Sequence, residues 1–391
     1  MKRSPNYILK EMQGHYYLIP FGQASADFSK DVEINEVGAF IWKLLENDME
    51  ASEVVDACMK EYECPPEQYD KVKAVVETFF DQMFEGRLLE WTIKRKPLRG
   101  DIMRKYVIAG LNVHVTGSPD IDLSPLDDYI AKRTRPADTL TVNMVRLTKE
   151  EIARHESIEP GETLIIKNEA AEIYKGSYGY RLEIKDCHNV VRILINEKGD
   201  YANIEYIEGD AAEMSQELFL AIRLPFTYFA ALHGLIAIHS ASIVYRGKGW
   251  LFSGRAMVGK STHTNLWKKN AGVTVFNGDM NLLGAEDSLT YMYGVPWCGE
   301  SGISEPGKYP VAGITFLKQS PDNRVSEVKG NERVLKILRR LFSPLWNHEL
   351  LGNYAFFAQN IAETVCLCQL ECTADKGAFE VMKTFIDEQV L

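Results

Sequence analysis

Apolar residues follow two rhythms along the first part of the chain. YILKEM and HYYLIPF are strand-like runs separated by Gln13-Gly14, which predicts a hairpin, and a short strand is expected from Val32 to Ile34. The spacing then becomes that of one helix face. Val37, Phe40, Ile41, Leu44 and Leu45 predict a first helix. Val54, Val55, Cys58, Met59 and Tyr62 predict a second, with Ser52 placed to cap it. Val72, Val75, Val76, Phe79, Phe80 and Met83 predict a third. Gly86 should end that helix, and LLEW reads as a closing strand.

Residues 93–101, IKRKPLRGD, form a charged link with Pro and Gly, the best boundary candidate in the chain. From 102 to 210 the runs YVIAGLNVHV, TLIIKN, YRLEIKD, NVVRILINE and NIEYIE predict short strands with turns between them. Residues 211–235 read as a helix, strands resume at LIAIHSASIVY, and a last helix is expected over 374–388. The fold class is therefore a multidomain α+β or α/β chain. Its parts are an N-terminal unit at 1–92, a linker at 93–101, a β-rich region at 102–230 and a C-terminal core at 231–391.

At 391 residues the chain has room for two or three domains. No apolar run approaches the roughly 20 residues that cross a bilayer, and the start has no secretory signal, so a cytoplasmic protein away from membranes is expected. Net charge is −11, which argues against nucleic acid as a partner. Residues 1–91 hold nine Lys/Arg and eighteen Asp/Glu, a balance of −9. Seven irregularly spaced cysteines fit reduced thiols. Cys366, Cys368 and Cys372 match no zinc spacing, and Val365, Leu367 and Leu370 around them favour a buried strand.

The most specific motif is WLFSGRAMVGKST, residues 250–262. Trp250, Leu251 and Phe252 should end a buried strand. Gly254, Arg255, Ala256, Met257, Val258, Gly259, Lys260 and Ser261 satisfy G-x4-G-K-[ST], and a helix should continue through Thr262. Glycines let backbone N–H groups turn around phosphates, the helix N-terminus adds its positive dipole, Lys260 neutralises the β and γ phosphates, and Ser261 offers a hydroxyl to Mg²⁺. Downstream, VTVFNGDMNLL reads as one buried strand carrying Asp279, either a second Mg²⁺ anchor or a turn residue. His239 lies 15 residues before Gly254 on the other arm of an expected hairpin, facing the γ-phosphate or buried as a core histidine. Trp297 and Cys298 suit an acceptor loop or a packed corner. Arg333, Arg339 and Arg340 suit a solvated helix face better than a phosphate contact.

Two stretches resemble known families. LHGLIAIHSASIVYRGKGWLFSGRAMVGKSTHTNLW, FNGDMNLL and YGVPWCGESGI with VAGITFLK resemble the HPr kinase-like family, whose core is related to phosphoenolpyruvate carboxykinase. That resemblance implies His239, Lys260 and Asp279 as catalytic residues, residues 254–262 as the ATP cradle, and Ser261 with Asp279 as Mg²⁺ ligands. The family has two adjacent aspartates where this chain has Gly278-Asp279, so the general-base position has no side chain. Residues 5–91, including EINEVGAFIWKLLEN, resemble the PqqD-like family, winged-helix-like units that recognise leader peptides in ribosomal peptide natural-product pathways. It implies peptide binding as an added strand near Val32, Glu33, Ile34 and Asn35, beside the third helix. The winged-helix DNA-binding alternative is opposed by the −9 charge.

Together these imply a kinase that phosphorylates a Ser or Thr hydroxyl of a precursor peptide held by its leader. The rivals are a non-catalytic nucleotide-binding partner that presents peptide to another enzyme, which Gly278 favours, and a small-molecule kinase. HPr as acceptor and a carboxykinase have less support. Homo-oligomers are expected by family analogy.

Overall fold

The computed structural model describes residues 1–21, 32–47, 49, 51–86, 88–90, 100–132, 137–148, 152, 162–176, 178–342, 344 and 346–390. Most of the expected 93–101 linker, and Trp91 of the expected closing strand, lie outside the described residues. It is a mixed α/β molecule that divides into two compact units. One comprises Met1–Lys96, Val145–Glu197 and Glu205–Ile207; the other comprises Pro97–Met144, Lys198–Ile204 and Glu208–Leu391. This grouping cuts across the 102–230 stretch that the sequence treats as one region.

In the first unit, β1 (Lys2–Arg3) pairs with β5 (Leu89–Glu90). The hairpin of β2 (Tyr7–Met12) and β3 (His15–Pro20) turns at Gln13-Gly14, both at positive φ. β4 (Val32–Ile34) adds antiparallel to β3 and ends the sheet order β2-β3-β4. Asn35 then caps α1 (Glu36–Leu44), its side chain accepting from the Gly38 N–H at 2.8 Å. α2 (Ala51–Glu61) and α3 (Tyr69–Glu85) follow. Their apolar faces close over Trp42, Phe80, Val76, Ile41 and Leu18, all fully buried. Among the strands of Val145–Glu197, β9 (Thr163–Lys167), β10 (Ala171–Gly176), β11 (Gly179–Ile184) and β12 (Val190–Asn196) form an antiparallel meander. Two buried Arg–Glu pairs stiffen this unit, Arg181 with Glu162 at 2.7 Å and Arg192 with Glu205 at 2.6 Å.

In the second unit, the YVIAGLNVHV run is two strands. β6 (Ile102–Ile108) and β7 (Leu111–Gly117) turn at Ala109-Gly110, and β8 (Thr139–Arg146) lies parallel to β7, with β13 (Tyr201–Tyr206) next in order; the last two residues of β8 and of β13 fall in the first unit. α4 (Ala211–Leu232) is capped by Asp210 and stops at Gly234, where the Leu235 N–H reaches back to the Ala230 carbonyl.

The larger sheet holds the glycine-rich loop, residues 254–261. β14 (Ile236–Tyr245) and β15 (Lys248–Ser253) form a hairpin turned at Arg246-Gly247, both at positive φ. α5 (Lys260–Ala271) follows β15. β16 (Thr274–Asn277) and β17 (Met280–Glu286) both pair with β14, and β18 (Leu289–Tyr293) follows. β19 (Lys308–Gln319) runs parallel to both β15 and β22 (Cys366–Cys372), with β20 (Arg324–Glu327) at the edge and β21 (Leu341–Phe342) on β14. α6 (Glu332–Leu338), α7 (His348–Thr364) and α8 (Lys376–Val390) complete the unit. The expected single strand VTVFNGDMNLL is thus two strands broken at Gly278-Asp279. Buried Trp250, Phe252, Trp267, Leu370, Phe379 and Met382 pack as one cluster, which ties β15 and β22 to α5 and α8. The Cys366–Cys372 strand reading holds.

Candidate nucleotide site

β15 lies between an antiparallel and a parallel neighbour, so Trp250, Leu251 and Phe252 are buried and the strand is rigid where it delivers the chain to Gly254. A Cβ on Gly254 would lie 2.5 Å from the Val258 Cγ1, and Gly259 sits at φ 109. Met257 adopts φ 59 at the loop tip with 95% of its surface exposed, and its carbonyl accepts from Gln319. No side chain caps α5, so its first N–H donors remain for an anionic ligand. Ser261 and Thr262 are exposed on that first turn.

The loop lysine turns inward. Lys260 is buried, with its Nζ 2.7 Å from the Nε2 of His239. Ser253 Oγ donates to the His239 carbonyl, and the His239 N–H donates to the Arg340 carbonyl, which fixes the imidazole beside the loop. Asp279 faces the other side of the ring. Its Oδ1 lies 3.3 Å from Nδ1 but off the line of a hydrogen bond, so Nδ1 is buried without a hydrogen-bond partner. Lys260, His239 and Asp279 are therefore brought together.

Asp279 is held by residues outside the G-x4-G-K-[ST] motif. Asn277, fully buried, accepts from the N–H groups of Asp279 and Met280 and donates to the Val295 carbonyl. Ser240 donates its N–H to the Asp279 carbonyl, and Asn281 donates to the Ser240 carbonyl while accepting from Ser242 Oγ. Gly299, at φ 59, packs on the Asp279 side chain. The only sequence signal for this network was its polar residues inside apolar strands.

Gly278 is not an open position. A Cβ there would lie 1.9 Å from Ser301 Oγ and 2.4 Å from Ser301 Cβ. Ser301 is itself fixed, donating to the Cys298 carbonyl at 2.6 Å and accepting from the Ile303 N–H. Trp297 is the packed corner: its rings contact Phe219 and Phe226 of α4, and Nε1 donates to the Phe219 carbonyl at 3.1 Å. Cys298 lies nearer the acid, and burial pushes its thiol up.

The site is electropositive. Burial, then Lys260 and Arg340, lower the His239 pKa against the opposing pull of Asp279, so the imidazole is neutral and Nε2 accepts from the lysine. Burial and Arg340 also lower Lys260, again opposed by Asp279. Burial lowers Arg223 and Arg340, the latter also through Arg255 and Arg339. The solvated-face reading is corrected for Arg333 and Arg340. Arg333 donates to the carbonyls of Val328, Ala362 and Val365, a structural clamp near the end of α7, and Arg340 lies close enough to Lys260 and His239 to lower both. Arg223 on α4 was not singled out by sequence.

Nearby, His263 stacks on Phe252 and reaches Cys372 Sγ at 3.1 Å, a buried pair beneath the helix. Among the described residues no cluster of three or more His, Cys, Asp or Glu forms a metal cage.

In the other unit, β4 and α3 flank a groove of about 530 Å³. Val32, Ile34, Val37, Val75, Phe79 and Met83 give it an apolar lining, with Glu33 and Gln82 also on its walls. No helix among the described residues is long and apolar enough to cross a membrane.

Comparisons with known proteins bear on these two sites unequally. The model of the coenzyme PQQ synthesis protein D (PqqD) family matches residues 28–89, the stretch that contains β4 and the three helices. No curated protein matches the chain. Among solved structures, the HPr(Ser) kinase/phosphatase from Coxiella burnetii aligns over 39% of this chain and 96% of its own at 12% identity. Its TM-score of 0.23 is too low to carry an argument.

Proposed function

We propose that this chain binds a nucleoside triphosphate at residues 254–262 and transfers its γ-phosphoryl group to a Ser or Thr hydroxyl of a precursor peptide. The leader of that peptide would be held along β4, at Val32, Glu33, Ile34 and Asn35. The observation that carries the reading is Lys260, buried at the start of an uncapped helix with His239 and Asp279 beside it.

The residues divide the work as follows. The 254–259 backbone and the first amides of α5 cradle the phosphates, and Lys260 leaves His239 to offset their charge. Ser261 and the outer Asp279 oxygen would hold Mg²⁺, which supplies further neutralisation of the β and γ oxygens. Departure of Lys260 frees His239 Nε2 to take the proton as the hydroxyl oxygen attacks phosphorus and the bond to the bridging oxygen breaks. Asp279 near Nδ1 keeps the imidazole in the tautomer that accepts. Positioning and charge stabilisation supply most of such catalysis, so the missing carboxylate at 278 slows transfer without forbidding it.

A second reading, a nucleotide-binding partner that presents peptide to another enzyme, is favoured by one observation: Ser301 fills the space a base at 278 would need. Mass spectrometry of leader-bearing peptides after incubation with ATP, Mg²⁺ and the chain separates the two. A gain of one phosphate, lost in Lys260→Ala together with magnesium-nucleotide affinity, supports transfer. Nucleotide binding without any mass gain supports the partner. Equal affinity in Lys260→Ala and the parent removes both.

A further inference from the structure

His239 has a third neighbour besides Lys260 and Asp279. The ring of Phe342 stands edge-on to the imidazole, with the two centroids 5.8 Å apart and the planes at 83°. Strand register puts both rings on one side of the sheet. Phe342 lies opposite Ala237 in the antiparallel pairing of β21 with β14, and Ala237 and His239, two residues apart, point to the same face. The backbone under the ring is fixed on every side. The Arg340 carbonyl accepts from the His239 N–H, Leu341 pairs with Ile238, and the buried Tyr354 donates its hydroxyl to the Phe342 carbonyl at 3.0 Å.

The residue itself is not packed away. Phe342 keeps 40% of its surface open, and the side chain of His239 keeps 26%. A lone apolar side chain on a surface is ordinary. This one is held rigidly against the imidazole, so a group that reaches the open part of His239 meets the phenyl ring as well. The nucleotide does not suit that ring. Its transferable end carries anionic oxygens that an apolar surface does not hold, and its base lies at the far end of the triphosphate. The acceptor is left. We propose that Phe342 is a specificity-determining residue for the acceptor peptide, packing against an apolar side chain next to the Ser or Thr that receives phosphate. This rests on the transferase reading for its meaning, yet its test does not depend on turnover.

The test uses the full chain with Mg²⁺ and a non-hydrolysable nucleotide. Labelled synthetic peptides carrying one Ser, preceded or followed by Leu, Phe, Ala or Lys, are titrated by fluorescence anisotropy. Contact with an aromatic ring predicts that the Leu or Phe peptide binds about tenfold more tightly than the Ala peptide. Comparing the two placements shows which side of the hydroxyl is read. Phe342→Ala should erase that preference and Phe342→Leu should keep most of it, both with the nucleotide affinity of the parent. Phe342→Glu should turn the preference toward the Lys peptide, a gain that a misfolded chain cannot show. A peptide series that is flat or silent with the parent overturns the proposal. So does a Phe342→Ala variant that loses nucleotide and keeps its peptide preference, which would give the ring to the nucleotide. Parallel incubation with ATP reports on transfer alone. Apolar selection without phosphate gain removes the transferase reading and leaves the contact standing, whereas phosphate gain with a flat series does the reverse.

Discussion

At the scale of single residues, chemistry was legible where the backbone demands a residue type. Gly259 is needed because its φ is 109, and Gly254 because Val258 leaves no room for a Cβ. Both follow from a motif whose mechanics are local. Arg223 was not legible, because nothing in its flanking residues marks it, and Arg340 was noticed but assigned to a solvated helix face because its approach to Lys260 joins segments distant in sequence. The cysteines illustrate the opposite case, in which apolar neighbours were enough. Burial pushes Cys58 and Cys372 up to about 11 and Cys368 up to about 12, so at pH 8 each is almost wholly thiol, and the thiolate dominates only above those values. Alkylation by iodoacetamide at pH 8, read by peptide mass spectrometry, should leave these three unmodified in the native chain and modify them in denaturant. Rapid native labelling of Cys368 would contradict the packing described for β22.

At the scale of elements, the three helices of the first unit emerged from periodicity because each buries one face. The break between β16 and β17 did not. The segment is apolar on both sides of Gly278-Asp279, so pattern alone continues the strand, whereas the turn is fixed by Asn277 bonding across to the 295–297 segment. The parallel pairing of β15 with β19, and of β19 with β22, joins segments distant in sequence and has no local signal. The groove between β4 and α3 yields a test at this scale. Val75 lines it with 49% of its surface exposed, so a charge there leaves the helix core intact. Val75→Glu should weaken leader binding by about tenfold or more, the worth of one buried valine side chain, without lowering thermal stability. Calorimetric titration with a leader peptide checks this; unchanged affinity would place the peptide elsewhere.

At the scale of the whole molecule, charge is unevenly distributed. The first 91 residues carry −9 of the total of −11, while in the other unit Arg340 acts on the loop lysine and is itself flanked by Arg255 and Arg339. Under the proposed function, joining leader recognition and phosphate chemistry in one chain would turn capture of the core peptide into an intramolecular event. Such linkage can raise apparent affinity by about 10²–10⁴-fold. Removing the leader from the peptide should therefore raise KM by a factor in that range with kcat little changed, and adding the leader in trans should not restore it. Equal KM for peptides with and without leader would show that the first unit has another role.

The interlock of Gly278 with Ser301 makes two positions, distant in sequence, a single mutational unit. A scan that alters one codon at a time will score position 278 as intolerant of every side chain, and will credit it with a chemical duty it lacks. The obstruction is volume. Changing Ser301→Gly in the same gene removes the closest obstruction and leaves the Cys298 carbonyl 3.1 Å from the new Cβ, so a carboxylate at 278 requires at least two simultaneous steps rather than one.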